Sequence, residues 1–396
     1  MNELRALDVL FREGAMSRAD LARALGLNRS TTGSIVSTLL AESLAVERPV
    51  NKNGEPRAQT GRPGIEVELN PGGALFIGAE IEVEQLTVVA IDLTGRLIRR
   101  ESAAFPAGSV QPEKSAARIA RMIEALMLAS PDPSRVRGIC VAAPTLVEAG
   151  VARLGLLLNW RDVPIGELIR ERLHAPLPVL VENDANAFAI AETYSGNSRS
   201  VGTVAFVVIE SGAGGGIVSD GRLFRGSGGM AGEFGHLRMG GIGYAPGGAG
   251  MLESYIGRDA VLARYRHHGG SSEATIPAIL QSLESGEPAA MRTATDWGKW
   301  LARGLSHIVN LLNPGLVIIG GSVGRIYSFV ANEVEAAVRA ELRSERQMPR
   351  IEMSELGDEG PALGAALILH QRMFSVDERA IFPKGGARGL IRMAGV

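Results

Sequence analysis

The sequence predicts an α/β protein with a small three-helix head on a larger, two-lobed body. Three observations carry this: helix-period apolar stripes fill the first 45 residues, strand-like and helix-like runs alternate from residue 71 onward, and a glycine-rich segment lies within the second block of that alternation. The 45% hydrophobic and 21% charged residues exclude a disordered chain. A length of 396 residues fits two to four domains, at about 100–200 residues each.

No run approaches the roughly 18 uninterrupted apolar residues of a membrane helix. The opening Met1-Asn2-Glu3-Leu4-Arg5 leads into a charged amphipathic pattern rather than a secretory signal, so the expected location is cytoplasmic, without membrane contact. The single cysteine, Cys140, excludes an intrachain disulfide framework and a zinc site built on several thiolates. A net charge of −2 excludes a general polyanion binder, so any nucleic-acid contact needs a local basic cluster. That cluster lies before residue 65, where Arg18, Arg23, Arg29, Arg48, Lys52, Arg57 and Arg62 outnumber the acids over the stretch that they span.

Leu4, Leu7, Val9, Leu10 and Phe11 recur at helical spacing until Gly14 stops the first helix. Ser17-Arg18-Ala19-Asp20 has capping-box spacing and opens a second helix, with Leu21, Ala22 and Leu25 inward and Gly26 at its end. Asn28 is placed to cap a third helix, whose inner face is Ile35, Val36, Leu39 and Leu40. This is helix-turn-helix grammar. The start of the last helix meets base edges in that geometry, so Asn28, Arg29, Ser30, Thr31, Thr32 and Ser34 are the expected DNA readers. The glycine- and proline-rich stretch from Pro49 to Gly64, followed by alternating Ile65, Val67 and Leu69, reads as a β wing. At its tip, Arg62 between glycine and proline suits a narrow minor groove, or else marks a plain solvated hairpin. A three-helix unit of this kind also serves in protein interaction, and that reading stays open.

Beyond Pro71-Gly72-Gly73, strand-like runs at Leu75–Ile81 and 86–93 form a hairpin, followed by a helix over 112–128. Strands at 136–142 and 179–182 flank a helix over 165–173. A second block holds strands at 203–209 and 216–218, helices near 252–268 and 294–312, and the strand 316–319. The expected organisation is a head over 1–70, a first lobe over 71–185 completed by a C-terminal helix about 360–373, and a second lobe over 186–359. The glycine-rich stretch 212–250 reads as tight turns between short strands, because Ile217, Val218, Leu223, Phe224 and Leu237 interleave the glycines; a flexible low-complexity loop is the alternative.

Four segments together resemble the ROK family (repressors, open reading frames and kinases), in its branch of xylose and N-acetylglucosamine repressors. They are Val181-Glu182-Asn183-Asp184-Ala185-Asn186-Ala187, Ser211 to Val218, Gly228 to His236 with its Glu-Phe-Gly-His ending, and Asn313 to Gly321. The resemblance spans nearly the whole chain and implies a winged helix-turn-helix followed by a two-lobed, actin-like sugar-kinase fold. It implies Asn183, Asp184, Glu233, His236 and Glu253 as sugar ligands, with Asn159 as a further candidate. Carboxylates, an amide and an imidazole supply both acceptors and donors for a ring of hydroxyls. Taken singly, Asn183-Asp184 also reads as an Asx turn, and Glu233 with His236 as a surface pair.

The family's kinases open their body with an Asp-x-Gly-Gly-Thr type of phosphate loop; the matching stretch here is Glu80-Ile81-Glu82-Val83-Glu84. Its carboxylates oppose a triphosphate, since one like-charge pair at 4 Å costs about 4 kcal/mol at an effective dielectric near 20. The same alternation reads as a strand with one solvated face. Glu210 stands where the family's kinases usually have glycine. Asp184 matches the family's general base, a position that serves sugar binding as well as catalysis. The family's zinc segment is altered, with Tyr244, Pro246 and Met251 at its thiolate positions, so neither zinc nor ATP is an expected cofactor. The resulting expectation is a sugar-responsive repressor without kinase activity. Its partners are a sugar or sugar phosphate and an inverted-repeat operator bound by a homodimer or homotetramer; the alternatives are an active sugar kinase that also binds DNA, and a scaffold whose head binds protein.

Overall fold

The computed structural model describes residues 1–49, 65–194, 201–240, 250–342, 347–357 and 359–374. It divides into two compact units. The first is Met1–Val141 with Pro164–Val181 and the chain from Ala365; the second is Ala142–Val163 with Glu182–Gly364.

In the first unit, α1 (Asn2–Glu13), β1 (Met16–Ser17), α2 (Arg18–Leu25), α3 (Arg29–Ala41), β2 (Ala45–Pro49) and β3 (Ile65–Leu69) build the head. The caps lie where the sequence places them. Ser17 Oγ accepts from Asp20 N at 3.2 Å and Asn28 Oδ1 accepts from Thr31 N at 2.8 Å, each satisfying a helix-start N–H. Leu7, Leu10, Leu21, Ile35, Val36, Leu39 and Val67 are buried in or near full. β3 pairs antiparallel with both β1 and β2, with Ala45 opposite Leu69 and Pro49 opposite Ile65, which makes the head a winged helix-turn-helix. Lys52, Arg57 and Arg62 fall between β2 and β3, outside the described residues.

The chain continues through β4 (Leu75–Ile81), β5 (Gln85–Asp92), β6 (Leu97–Ala104), α4 (Pro112–Leu128), β7 (Val136–Ala143), a meander of β8 (Leu146–Glu148), β9 (Val151–Gly155) and β10 (Trp160–Val163), then α5 (Ile165–Arg170) and β11 (Val179–Asn183). Five of these strands form a sheet ordered β11-β7-β4-β5-β6, with α4 packed on β4 and β5. The solvated-face reading of Glu80, Glu82 and Glu84 needs correction. β4 is a central strand buried along its whole length, Glu80 is only 3% exposed, and Glu82 and Glu84 lie in the turn closed by Glu82 N donating to Gln85 O at 2.9 Å. A tight hairpin occupies the stretch that matches the phosphate loop.

The second unit contains α6 (Asp184–Tyr194), β12 (Thr203–Ile209), β13 (Ala213–Ser219), β14 (Arg222–Leu223), α7 (Glu253–Ile256), α8 (Arg258–His267), α9 (Ile276–Glu284), α10 (Pro288–Leu312), β15 (Leu316–Gly320), α11 (Ala331–Glu341) and β16 (Arg350–Met353). Its sheet runs β14-β13-β12-β15-β16, parallel at β12-β15-β16 and antiparallel elsewhere. Trp297, Leu301, Leu305 and Ile308 turn the apolar stripe of α10 into its core beside Val207, Ile209 and Ile319. The β8–β10 meander belongs to this unit, although the sequence places it in the first lobe. Asn183 Nδ2 donates to Thr145 O at 3.3 Å, and the Gly229 backbone passes so near Val147 that a Cβ there would lie 2.6 Å from its oxygen.

The helix α12 (Gly360–Phe374) ends in the first unit, where it meets the head. The Phe11 ring lies 4.8 Å from that of His370 and 5.3 Å from that of Phe374. His370 is fully buried and its Nε2–H donates to Leu93 O at 2.9 Å, which fixes the ring between head and sheet. Among the described residues, no helix is long and apolar enough to cross a membrane.

Gly33 sits inside α3, where an added Cβ meets nothing within 4 Å. Gly33→Ala is therefore expected to stabilise the protein by about 0.5–1 kcal/mol, because alanine loses less backbone freedom on entering a helix. An upward shift of the denaturant midpoint carries this; a downward shift contradicts the open surroundings of that position.

Candidate functional site

The sugar-ligand candidates all fall within the second unit. Asn183 ends β11 and Asp184 opens α6. Asn183 Oδ1 accepts from Asn186 N at 3.0 Å, so the Asx-type cap is present, and its amide still has one lone pair and one N–H beyond the contacts to Asn186 and Thr145. Asp184 Oδ1 accepts from Ala185 N at 2.8 Å. Burial pushes the Asp184 carboxyl up to about 6; nearby backbone N–H groups oppose the rise and the Glu233 charge adds to it. Glu233 is itself raised by burial and by Glu253, with His236 pulling the other way.

His236 stands between two carboxylates, Nδ1 at 3.7 Å from Glu233 and Nε2 at 4.0 Å from Glu253. These are ion-pair distances rather than hydrogen bonds, so the polar atoms keep capacity for hydroxyl groups. Asp184, Glu233, His236 and Glu253 thus converge, while Asn159 sits on a different element, the turn between β9 and β10, with φ 54°.

Close backbone packing produces this convergence. Gly232 adopts φ +98°, and a Cβ there would lie 2.6 Å from Gly215 O in β13. The segment ahead of His236 therefore lies directly on the glycine-rich strand, which reads as tight turns and strand rather than a flexible loop.

Residues 237–239 and 250–252 pair through their backbones. Leu252 N donates to Leu237 O at 2.8 Å and Met239 N to Gly250 O at 2.7 Å, with Arg238 bridged to Met251. Tyr244 and Pro246 lie outside the described residues. Buried side chains fix the helix that Glu253 starts: Trp297 Nε1 donates to Ile256 O at 2.9 Å and Arg264 Nη2 to Tyr255 O at 3.0 Å.

Sequence reasoning missed a support beside the candidate ligands. The buried Glu182 accepts from Asn183 N and Asn186 Nδ2 through Oε1, both at 3.0 Å, and from Arg225 Nε and Nη2 through Oε2, at 2.9 and 2.6 Å. Arg225 O in turn accepts from Ala231 N at 3.2 Å, closing the turn that leads to Glu233. One ion pair thereby ties the Asn183-Asp184 segment to the glycine turn. Only the match between Glu182 and the Arg-Gly-Ser-Gly-Gly run hinted at it, and forty-three residues separate the partners.

In the head, Asn28, Arg29, Ser30 and Ser34 are exposed and Thr31 is half-buried. Thr32 is the exception among the expected readers. It is fully buried, and its hydroxyl donates to Asn28 O at 3.0 Å, because position 32 shares the inward stripe of Ile35, Val36 and Leu39. Arg18 pairs with Glu47, Arg23 with Asp20, and Arg48 with Glu68, whereas Arg29 has no acidic partner among the described residues.

Asp184 also sets a pH dependence. Its folded-state carboxyl keeps a proton up to about pH 6, while an unfolded aspartate releases it near pH 4, so stability of the ligand-free protein falls as pH rises between these values. Asp184→Asn is expected to be more stable than wild type above pH 6, by about 3 kcal/mol, with the difference fading toward pH 4. Denaturant titrations at the two pH values measure it; a variant less stable than wild type at high pH contradicts the burial effect.

Residues 76–372 match the ROK family. The chain is 26% identical over 374 residues to the xylose repressor of Bacillus subtilis, covering 93% of this chain and 94% of the relative. It is 24% identical over 371 residues to the DNA-binding transcriptional repressor Mlc of Escherichia coli, covering 90% and 89%. A crystal structure of a ROK family transcriptional regulator, described as a homologue of the E. coli Mlc protein, superposes with TM-score 0.81 at 24% identity, over 99% of this chain and 98% of that one. A ROK family glucokinase from Streptomyces griseus, in complex with glucose and AMPPNP, superposes with TM-score 0.65 at 24% identity, over 74% of this chain and 99% of that one. The two-lobed kinase fold with an added winged head, and the match over three quarters of its length, place this chain in the ROK family.

Proposed function

We propose that the protein is a sugar-responsive transcription repressor that reads an inverted-repeat operator through α3 and its wing. A sugar bound by Asp184, Glu233, His236, Glu253 and Asn183, with Asn159 as a further contact, adjusts that affinity without being phosphorylated. The observation that carries this reading is the winged head: it precedes residues 76–372, which match the ROK family, and it presents Arg29 free of an acidic partner among the described residues. The repressors named among the relatives extend over the same length. Absence of phosphoryl transfer is supported by the Glu82–Gln85 hairpin, which offers no glycine cradle for phosphate oxygens.

The sugar-kinase reading has two specific observations in its favour. An N-acetyl-D-glucosamine kinase of Yersinia pseudotuberculosis is 30% identical over 204 residues, 48% of this chain and 66% of that protein, and a carboxyl near pKa 6 at Asp184 suits a general base. Two assays separate the readings. Fluorescence anisotropy on operator DNA is expected to show a sugar-dependent affinity, weakened about tenfold or more by Arg29→Ala, as for a lost base contact of roughly 1–3 kcal/mol. Incubation with a sugar panel, magnesium and ATP is expected to yield no ADP above background; turnover in the usual range of about 1–100 s⁻¹ makes the protein a kinase.

A further inference from the structure

We propose that Glu210 is a built-in occupant of an oxyanion site beside the sugar ligands, and that it excludes phosphoryl groups from the effector. Ser322 grips this carboxylate at both oxygens: its N–H donates to Oε1 and its Oγ–H to Oε2, each at 2.5 Å. Arg258 Nη2 stands 3.6 Å from Oε2. A main-chain N–H, a hydroxyl and a guanidinium are the donors that proteins aim at phosphoryl oxygens, and here they already hold an anion.

Three short segments build the site. Glu210 follows β12, and its own carbonyl accepts from Arg258 N at 2.9 Å at the start of α8; Ser322 follows β15, with Val323 N donating to Ile209 O at 3.2 Å. The position adjoins the hydroxyl-binding cluster, since Glu253 Oε2 lies 2.9 Å from where a Cβ on Gly212 would stand. Glu210 and Arg258 are each nearly half exposed at the side chain, so ligand reaches the site from solvent. An incoming phosphoryl group meets donors that are taken and a carboxylate of its own sign. This rests on the non-catalytic reading above and narrows it: the effector is an uncharged sugar, not a sugar phosphate.

Calorimetric titration of the full chain with pyrophosphate, with glucose 6-phosphate and with magnesium-ATP tests it in wild type, Glu210→Gly and Glu210→Gln. Wild type is expected to show no saturable binding of any of the three. Glu210→Gly is expected to bind pyrophosphate at least about tenfold more tightly than wild type, and adding Arg258→Ala removes the gain. Glu210→Gln keeps the shape without the charge and is expected to move in the same direction by less, so it decides the matter if the glycine variant does not fold. A gain for glucose 6-phosphate alone assigns the site to a sugar phosphate's group, and one for ATP alone to a nucleotide's; both uphold Glu210 as the excluding anion. Wild type binding as tightly as the variants, or folded variants that gain nothing, overturns the proposal. The kinase assay stays separate, because ADP production by wild type defeats the non-catalytic reading, whereas indifferent variants with no ADP defeat only the role of Glu210.

Discussion

The backbone of Gly235 runs so close to Ala213 that a methyl group there would lie 1.9 Å from the Ala213 carbonyl oxygen. The rest of the site depends on that approach. It lays the Glu233–His236 segment on β13, and β13 packs against α6, whose first residue is Asp184. Three carboxylates and an imidazole then share a region where burial raises two of the acids. Burying like charges costs stability, which proteins accept where a ligand is to be recognised. The Glu182–Arg225 pair ties the Asn183-Asp184 segment to the turn that leads to Glu233.

Much of this was legible in the residues. Helix caps at Ser17 and Asn28, the hairpin after Gly73 and the strand at Thr203–Ile209 follow from capping chemistry and periodicity, which act over a few residues. The convergence of Asp184 with Glu233, His236 and Glu253 was legible only through family resemblance, because no local rule joins residues up to seventy positions apart. Thr32 shows the opposite failure. Its polarity marks a reader, yet the helix period turns it inward, and the period decides. Glu80 is similar: alternation suggested a wet face, but strand order places β4 in the middle of the sheet, and strand order is a tertiary fact.

Paired backbone groups join 237–239 to 250–252, and buried Trp297 and Arg264 hold the helix that follows. Neither side chain stands out in the sequence, because each acts from a helix packed against α7. In the head, Phe11 against His370 and Phe374 links α1 to α12 by aromatic contact within the first unit.

The central proposal is that the cluster of carboxylates and an imidazole at Asp184, Glu233, His236 and Glu253 binds hydroxyl groups. Titrating the full-length protein with D-xylose and D-glucose in a calorimeter, in wild type and in Glu233→Gln, tests it most directly. The account predicts saturable heat for at least one sugar in wild type and its loss in the variant, with the variant still folded. Undiminished binding by Glu233→Gln would contradict it, because the sugar would then be held by other groups.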